Sequence, residues 1–218
     1  RARLAAQVPA LLDRVQWLDR LPAGPLTGVL IANEVLDALP VERFTIQDGK
    51  PRQLGVCLRG REFGWSAVEA PAALEAEVRA IERDIGAALP EGYSSELSLR
   101  QPGWLGALAA VLGRGLALFT DYGYSRREYY HPQRTEGTLA CHYRHHWHDD
   151  PFFLPGLQDL TAWVDFSAAA SAATAAGLSV AAYTTQAHFL LATGILQEME
   201  ADVARDQGQS PGEMQARA

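Results

Sequence analysis

Two short apolar runs, each followed at once by acidic or amide side chains, constrain the fold of this chain more than any other feature. Gly28 to Ala32 and Leu116 to Thr120 are apolar on both faces, which is typical of central parallel strands that helices cover on each side. The first run ends in Asn33-Glu34 and the second in Asp121. Because helical patterns separate the two runs, the sequence predicts an α/β fold with a largely parallel, doubly wound sheet.

The remaining segments are arranged around this core. Apolar spacing predicts a helix over residues 1–14, a strand from Val15 to Leu18 and a short helix from Val35 to Leu39. A third core strand is expected from Leu178 to Tyr183. Between the first two core strands, turn residues and short β-type runs predict a hairpin flap, which an amphipathic helix beginning at Pro71 follows. The predicted organisation is core at 1–40, inserted flap and helices at 41–112, core again at 113–206 with an aromatic, histidine-rich loop at 125–163, and a tail at 207–218.

Composition excludes several classes of protein. The chain has 218 residues, of which 48% are hydrophobic, and this is enough for a buried core. Its net charge is −7 and it has no basic block, so we do not expect nucleic acid as a partner. Two cysteines are too few for a disulfide framework and favour a reducing compartment. No apolar run approaches the roughly 18 residues of a membrane-spanning helix, so we expect no membrane insertion.

The acidic residues that follow the two apolar runs are the first candidates for chemistry. Ligands of open parallel sheets bind beyond the carboxyl ends of the strands, where the loops diverge. Glu34 and Asp121 would lie at that edge, and Asp37 would share the face of Glu34 on the predicted short helix. The alternative interpretation is structural, with Asn33 and Glu34 capping the helix and Asp121 capping a turn.

Residues 125–150 are rich in rings and hydrogen-bonding groups and hold five of the six histidines. Such a loop is typical of a lid or a substrate cradle. The stretch from Cys141 to Asp150 also has imidazole, thiolate and carboxylate groups that bind zinc, but its spacing matches no standard zinc pattern, so we predict no metal. Farther along, Asp165 is expected to cap a helix, whereas Asp159 has no evident structural role.

Four groups of residues, in order along the chain, resemble those of one family. They are Leu30 to Val41, Asp121 to Tyr124 with Glu128 to Pro132, Gly137 to His145, and Gln158 to Thr161 with Val164 to Phe166. Together they resemble the MidA-like family of S-adenosylmethionine-dependent methyltransferases. Mitochondrial members of that family methylate an arginine on a subunit of respiratory complex I during assembly. The resemblance extends from about Arg1 to Leu196.

The resemblance implies a Rossmann-like class I methyltransferase sheet of seven strands and S-adenosylmethionine as the cofactor. In this class, a glycine-rich turn after the first strand and an acid at the end of the second strand hold the cofactor. This sequence has neither element, and the last strand, expected near residues 210–218, is not evident. We therefore expect the chain to be incomplete at both ends.

The resemblance and the strand-end positions together assign roles to particular residues. Glu34, Asp37 and Asp121 are the candidate catalytic residues, with Glu34 foremost, since carboxylates can orient a guanidinium and stabilise a cationic product. Asn33, Glu34 and Asp19 are expected to bind the cofactor. The residues expected to line or cover the acceptor are Tyr122, Tyr124, His142, Tyr143, Arg144, His145 and Asp159.

The expected function is methyl transfer to an arginine of a protein substrate, in the assembly of a respiratory complex. A homodimer is possible, and the expected location is the cytoplasm in bacteria or the mitochondrial matrix in eukaryotes. Three alternatives stay open: a small-molecule acceptor, a non-catalytic assembly protein on the same fold, and a metal hydrolase built on residues 141–150.

Overall fold

A parallel pair of strands forms the part of the fold that carries the predicted site. The computed structural model describes residues 6, 7 and 9–206, and its contacts divide them into two units at Ser179. In the first unit, strand β1 (Leu26–Asn33) pairs in parallel with strand β6 (Leu112–Thr120). The prediction that the two apolar runs are neighbouring parallel strands is confirmed.

The faces of this pair differ from the prediction. We expected helices on both sides, but the side chains of Val29 and Ile31 are 60% and 73% exposed. Helix α2 (Gln101–Val111) covers β6, where the Trp104 ring packs edge-on against Phe119 with centroids 6.1 Å apart. Among the described residues of the first unit, no element covers Val29 and Ile31 well enough to bury them. Strand β1 is therefore apolar on both faces, but the face that carries Val29 and Ile31 is exposed.

The predicted flap is a four-stranded antiparallel sheet. Its strands are β2 (Glu42–Gln47), β3 (Lys50–Arg59), β4 (Glu62–Glu69) and β5 (Ser94–Leu97), in the order β4-β3-β2-β5. The turn Asp48-Gly49, with both φ angles positive, joins the first hairpin. The predicted hairpins are confirmed, whereas β5, which has a polar sequence, was not predicted.

Helix α1 (Ala72–Ile85) packs on this sheet and forms the main hydrophobic core with it. Its apolar stripe is buried, as the amphipathic pattern predicts, and Gly86 ends it in the left-handed conformation. Two tyrosines from the segment after β6 complete the core and connect the flap to the rest of the unit. The core residues are Phe44, Ile46, Leu74, Val78, Ile81, Leu89, Tyr93, Tyr129 and Tyr130.

The aromatic, histidine-rich segment has more structure than the irregular loop that we expected. Strands β8 (Ala140–Tyr143), β9 (His146–His148) and β10 (Asp159–Thr161) form a small antiparallel sheet in the order β10-β8-β9. Strand β7 (Gly123–Tyr124) pairs in parallel with β11 (Val164–Asp165), and helix α3 (Arg126–Tyr129) lies between β7 and β8. The backbone of this segment is therefore fixed by pairing, because each strand has a partner.

Side chains cap two of the last helices, and the first of these caps is the predicted one. Asp165 caps helix α4 (Phe166–Ala175) by accepting the N–H of Ala168, 3.0 Å away. In the second unit, Thr185 caps helix α5 (Gln186–Ala192), and helix α6 (Ile195–Asp206) follows it. Among the described residues, no helix is both long and apolar enough to span a membrane.

Three predicted elements are wrong. No strand forms at 15–18 or at 178–183, because within the described chain neither segment lies beside a partner strand. Residues 35–39 form a turn rather than a helix, because the backbone at Glu34 is left-handed and redirects the chain. Of the predicted helix 1–14, residues 9–14 form a 3₁₀ helix, whereas residues 1–5 and 8, like the tail 207–218, lie outside the described residues.

Candidate functional site

The carboxyl ends of β1 and β6 bring the predicted acidic residues together. Asn33 pairs with Thr120 at the end of the parallel register, and the N–H of Glu34 donates to the carbonyl of Thr120 over 2.8 Å. Glu34 and Asp121 therefore follow two neighbouring strands at the same edge of the sheet. The geometry on which the predicted site depends is present.

Asp121 organises the turn that follows β1. Its Oδ2 atom accepts hydrogen bonds from the backbone N–H groups of Val35, Leu36 and Asp37, at 3.1, 2.8 and 3.3 Å. Its Oδ1 atom accepts the N–H of Tyr122 at 2.9 Å. Backbone N–H groups thus bind both carboxylate oxygens. This agrees with the alternative interpretation, in which Asp121 caps a turn. The turn that it caps follows β1, whereas Asp121 itself follows β6.

Glu34 adopts a backbone conformation that is unusual for a residue with a side chain. Its φ angle is +51°, in the left-handed region, which costs about 1 kcal/mol or more for a residue other than glycine. This conformation bends the chain sharply enough to present three successive N–H groups to Asp121. Strain of this kind occurs often at functional sites. The Glu34 side chain remains exposed at the edge of the sheet.

Asp37 is the buried member of the cluster, with 8% of its surface exposed. Burial raises the pKa of its carboxyl above the ordinary value of 3.8, and the charges of Asp121 and Glu34 raise it further. Its Oδ1 atom is buried and has no hydrogen-bond partner in the part of the chain that the structure describes. A carboxyl group in this state can hold or accept a proton.

Tyr122 extends the cluster to the surface. Its hydroxyl donates a hydrogen bond to Glu34, and this bond is the main reason why the pKa of Tyr122 is raised. The side chain is 59% exposed. Glu34 and Tyr122 therefore form the solvent-facing part of the site, above the buried carboxyl of Asp37.

One short segment has three consecutive backbone donors, two of which bind the segments that follow the two strands. The N–H of Ala162 donates to the carbonyl of Asp37 at 3.1 Å, and the N–H of Val164 donates to the carbonyl of Tyr122 at 2.8 Å. Between them, the N–H of Trp163 donates to Oγ1 of Thr138 at 3.0 Å. We call residues 162–164 the strap.

Asp159 precedes the strap in β10 and belongs to the same electrostatic cluster, because its charge also raises the pKa of Asp37. It lies opposite His142 across the β10-β8 pair. The described structure therefore places Glu34, Asp37, Asp121, Tyr122 and Asp159 together.

Other predicted site residues lie farther along the same segments. Tyr124 stacks on Trp163, with ring centroids 4.9 Å apart, and the Arg134 guanidinium lies over its ring at 4.7 Å. Arg144 and His145 form the tight turn between β8 and β9 with positive φ angles, and Tyr143 lies under the Arg144 guanidinium. These three residues are at the tip of a hairpin.

Two of the predicted cofactor-binding residues, Asp19 and Asn33, lie before β1 and at its end. Asp19 is exposed in the coil before β1, and Asn33 is exposed at the end of that strand. Within the described residues, no group of three or more His, Cys, Asp or Glu side chains is arranged to hold a metal ion.

Sequence reasoning missed one buried group beside this site. Glu96 is completely buried, and its carboxylate contacts Thr138 and Tyr129. It lies in the polar sequence Ser94-Ser95-Glu96, which gives no signal of burial. Thr138 lies within one of the matching motifs, but the motif alone gives no role for its hydroxyl.

Fold and geometry together define a class of protein: an α/β protein with an acidic cluster at the shared carboxyl edge of two parallel strands, the edge at which ligands of such sheets bind. Residues 1–184 match the model of a family described as "Putative S-adenosyl-L-methionine-dependent methyltransferase". The chain belongs to this family.

Two crystal structures of proteins from Burkholderia thailandensis are similar to this chain. One protein, described as a "likely methyl transferase" and bound to S-adenosyl-homocysteine, is 41% identical with a TM-score of 0.83; the match covers 99% of this chain and 52% of that one. The other, a native structure, is also 41% identical with a TM-score of 0.82 and coverages of 98% and 54%. No curated protein matches. The likeness confirms the predicted methyltransferase fold, and the chain spans about half the length of these relatives.

Proposed function

We propose that this protein transfers a methyl group from S-adenosylmethionine to an arginine side chain of a protein substrate. The observation that carries the proposal is the cluster of Glu34, Asp37 and Asp121 around Tyr122 at the shared end of β1 and β6. Membership of the methyltransferase family and the S-adenosyl-homocysteine bound by a relative support the choice of cofactor.

The residues at this edge fit such a cofactor. The exposed side chains of Asn33 and Glu34 offer an amide and a carboxylate beside a further buried acid, and this negative environment complements a cationic sulfonium. S-Adenosylmethionine supplies a methyl group already activated on sulfur. The part of this chain is then mainly to bind, align and stabilise charge.

Each acid has a different part in that work. Glu34 is exposed and holds the Tyr122 hydroxyl, so it is the group that can contact an incoming guanidinium through charge-assisted hydrogen bonds. Asp37, with its raised pKa and unpartnered Oδ1, can take up the proton that the acceptor nitrogen loses. Asp121 acts through the turn that it caps and is a positioning residue.

An arginine acceptor is favoured over a neutral one by electrostatics. The charges of three carboxylates at this edge, those of Glu34, Asp121 and Asp159, act on the carboxyl group of Asp37. The chain as a whole carries a net charge of −7. Such a field attracts a cationic side chain and opposes an anionic one. The resemblance to the MidA-like family also supports a protein arginine as the acceptor.

The test compares Glu34→Gln with the control Glu77→Gln, which changes an exposed glutamate on α1. S-Adenosylmethionine affinity of the intact protein is measured by calorimetry, and methylation of arginine-containing proteins is measured by mass spectrometry. We expect Glu34→Gln to lower methyl transfer about a hundredfold and to weaken binding of the cofactor by a much smaller factor, and Glu77→Gln to have no effect. Full transfer by Glu34→Gln, or no cofactor binding by the unaltered protein, would contradict the proposal.

A further inference from the structure

We propose that Glu96, acting through Thr138, is a positioning residue that holds the strap and thereby sets the geometry of Asp37 and Tyr122. The anchoring itself stands on the contacts below, and its effect on catalysis rests on the proposed methyl transfer. Glu96 does not touch the acidic cluster directly. Its influence passes through two hydrogen bonds in series: the Thr138 hydroxyl donates to Glu96, and the Trp163 N–H donates to the Thr138 hydroxyl oxygen.

In the first of these two interactions, one carboxylate oxygen of Glu96 accepts three hydrogen bonds. Oε1 of Glu96 accepts the N–H of Thr138 at 2.6 Å, the Thr138 hydroxyl at 2.7 Å and the Tyr129 hydroxyl at 3.0 Å. Glu96 has no exposed surface. Hydrogen bonds to a carboxylate away from water are short and strong, so the position of Thr138 is closely fixed.

The backbone at Gly137, beside Thr138, packs directly against the carboxylate of Glu96. Gly137 has a φ angle of +78°, and a Cβ atom at this position would overlap Oε2 of Glu96. Oε2 also lies 3.8 Å from Nε of Arg43, the residue opposite Glu96 in the β2-β5 pair. Glu96 is thus enclosed by the segment that it holds and by a cation from the flap.

The second interaction, in which Thr138 accepts the Trp163 N–H, depends on where the single hydrogen of the Thr138 hydroxyl points. Because this hydrogen is donated to Glu96, the hydroxyl oxygen is free to accept the N–H of Trp163 at 3.0 Å. Tyr129 likewise uses its hydrogen on Glu96, so its 3.1 Å contact with Thr138 does not compete for this arrangement. Glu96 therefore fixes the direction in which Thr138 accepts.

The strap transmits this constraint to the site. The N–H groups on either side of Trp163 bind the carbonyls of Asp37 and Tyr122. A shift of the strap would move both residues relative to an acceptor, and misplacement of reacting groups by about 1 Å can lower a rate a hundredfold. A buried carboxylate is costly compared with an apolar side chain, so its contribution lies in orientation more than in stability.

The experiment uses Thr138→Val, which removes the hydroxyl at nearly constant shape, and Thr138→Ser, which keeps it, both in the intact protein. The first measurement is hydrogen exchange of the Trp163 amide, which does not depend on activity. We expect exchange about tenfold faster in Thr138→Val, the change typical of one lost hydrogen bond, and restoration in Thr138→Ser. Glu96→Gln serves as a second variant and should also raise this exchange, because it weakens the hold on Thr138.

The second measurement separates kcat from KM for methyl transfer. Thr138→Val should lower kcat about tenfold or more with KM for S-adenosylmethionine unchanged, and Thr138→Ser should restore kcat. Unchanged Trp163 exchange in Thr138→Val overturns the anchoring, and faster exchange with unchanged kcat overturns the positioning role. If the unaltered protein transfers no methyl group, the proposed function fails, while the exchange result still decides whether Glu96 and Thr138 hold the strap.

Discussion

The Asp121 carboxylate accepts a hydrogen bond from the backbone N–H of Asp37 at 3.3 Å, although 84 positions separate the two residues in the chain. One acid of the cluster therefore holds the backbone of another acid in place. Asp121 has both oxygens engaged by backbone donors, whereas Asp37 keeps a buried oxygen without a partner in the described chain. The cluster divides into an acid that builds the site and acids that are available for chemistry.

Replacement of Asp121 by alanine should destabilise the fold as well as the site. The substitution removes the acceptor of three N–H groups in the turn 35–37, and we expect the free energy of unfolding to fall by about 2–3 kcal/mol. Urea denaturation measures this loss. Glu34→Gln is the matched comparison, because the Glu34 side chain is exposed and its replacement should change stability by less than about 0.5 kcal/mol. Equal stabilities of the two variants would show that Asp121 is not structural.

Asp37→Asn should stabilise the protein at neutral pH and do so less at acidic pH. The raised pKa means that the folded state favours the protonated carboxyl of Asp37. The stability that this protonated group contributes is fully present below the ordinary pKa of 3.8 and is lost as the pH rises through the raised pKa. Asparagine cannot ionise, so the variant should be more stable than the unaltered protein at pH 7, and the gain should shrink as the pH falls toward 4. Thermal unfolding across this pH range tests the difference. A gain that does not depend on pH would contradict the electrostatic cause.

The site was predictable where it depends on strand order and unpredictable where it depends on contacts between distant segments. The apolar runs before Asn33 and Asp121 identify parallel strands, and parallel strands end at one edge, so the meeting of Glu34 and Asp121 follows from pattern alone. Nothing local shows that Asp121 would accept N–H groups from residues 35–37. The strap and the burial of Glu96 likewise arise from tertiary pairing.

The fold shows the same division. Turn residues and alternation located the flap hairpins, but the polar sequence of β5 carries no strand signal and becomes a strand because it pairs with β2. Conversely, Leu178 to Tyr183 has strand-like composition and no partner strand among the described residues, so it stays irregular. Exposure of Val29 and Ile31 could not be read from the sequence either, since apolar pattern does not show which faces are covered.

Gly115→Ala should disrupt the pairing that brings the acidic residues together. Gly115 lies opposite Gly28 in the β1-β6 register, and a Cβ atom at position 115 would overlap the carbonyl oxygen of Gly28. We expect a loss of about 2–4 kcal/mol in the free energy of unfolding and loss of methyl transfer. Gly28→Ala is the control, because a Cβ atom at position 28 has no neighbour within 4 Å. Equal effects of the two substitutions would mean that the register differs from the one described.

Gly137→Ala tests the enclosure of Glu96 against a glycine of nearly identical conformation. Gly137 and Gly92 have φ angles of +78° and +77°, so alanine suffers the same left-handed strain of about 1 kcal/mol at either position. They differ in surroundings, since a Cβ atom at 92 has no neighbour within 4 Å and one at 137 would overlap the Glu96 carboxylate. We expect Gly137→Ala to destabilise the protein by about 1–3 kcal/mol more than Gly92→Ala, as overpacking typically does.

Urea denaturation of both variants gives the difference, and combination of Gly137→Ala with Glu96→Ala identifies its source. Removal of the Glu96 carboxylate eliminates the overlap, so in the Glu96→Ala background Gly137→Ala should cost no more than the backbone strain that Gly92→Ala measures. A cost of Gly137→Ala that is the same in both backgrounds would place the clash elsewhere and would remove one support for Glu96 as the group around which residues 137 and 138 are packed.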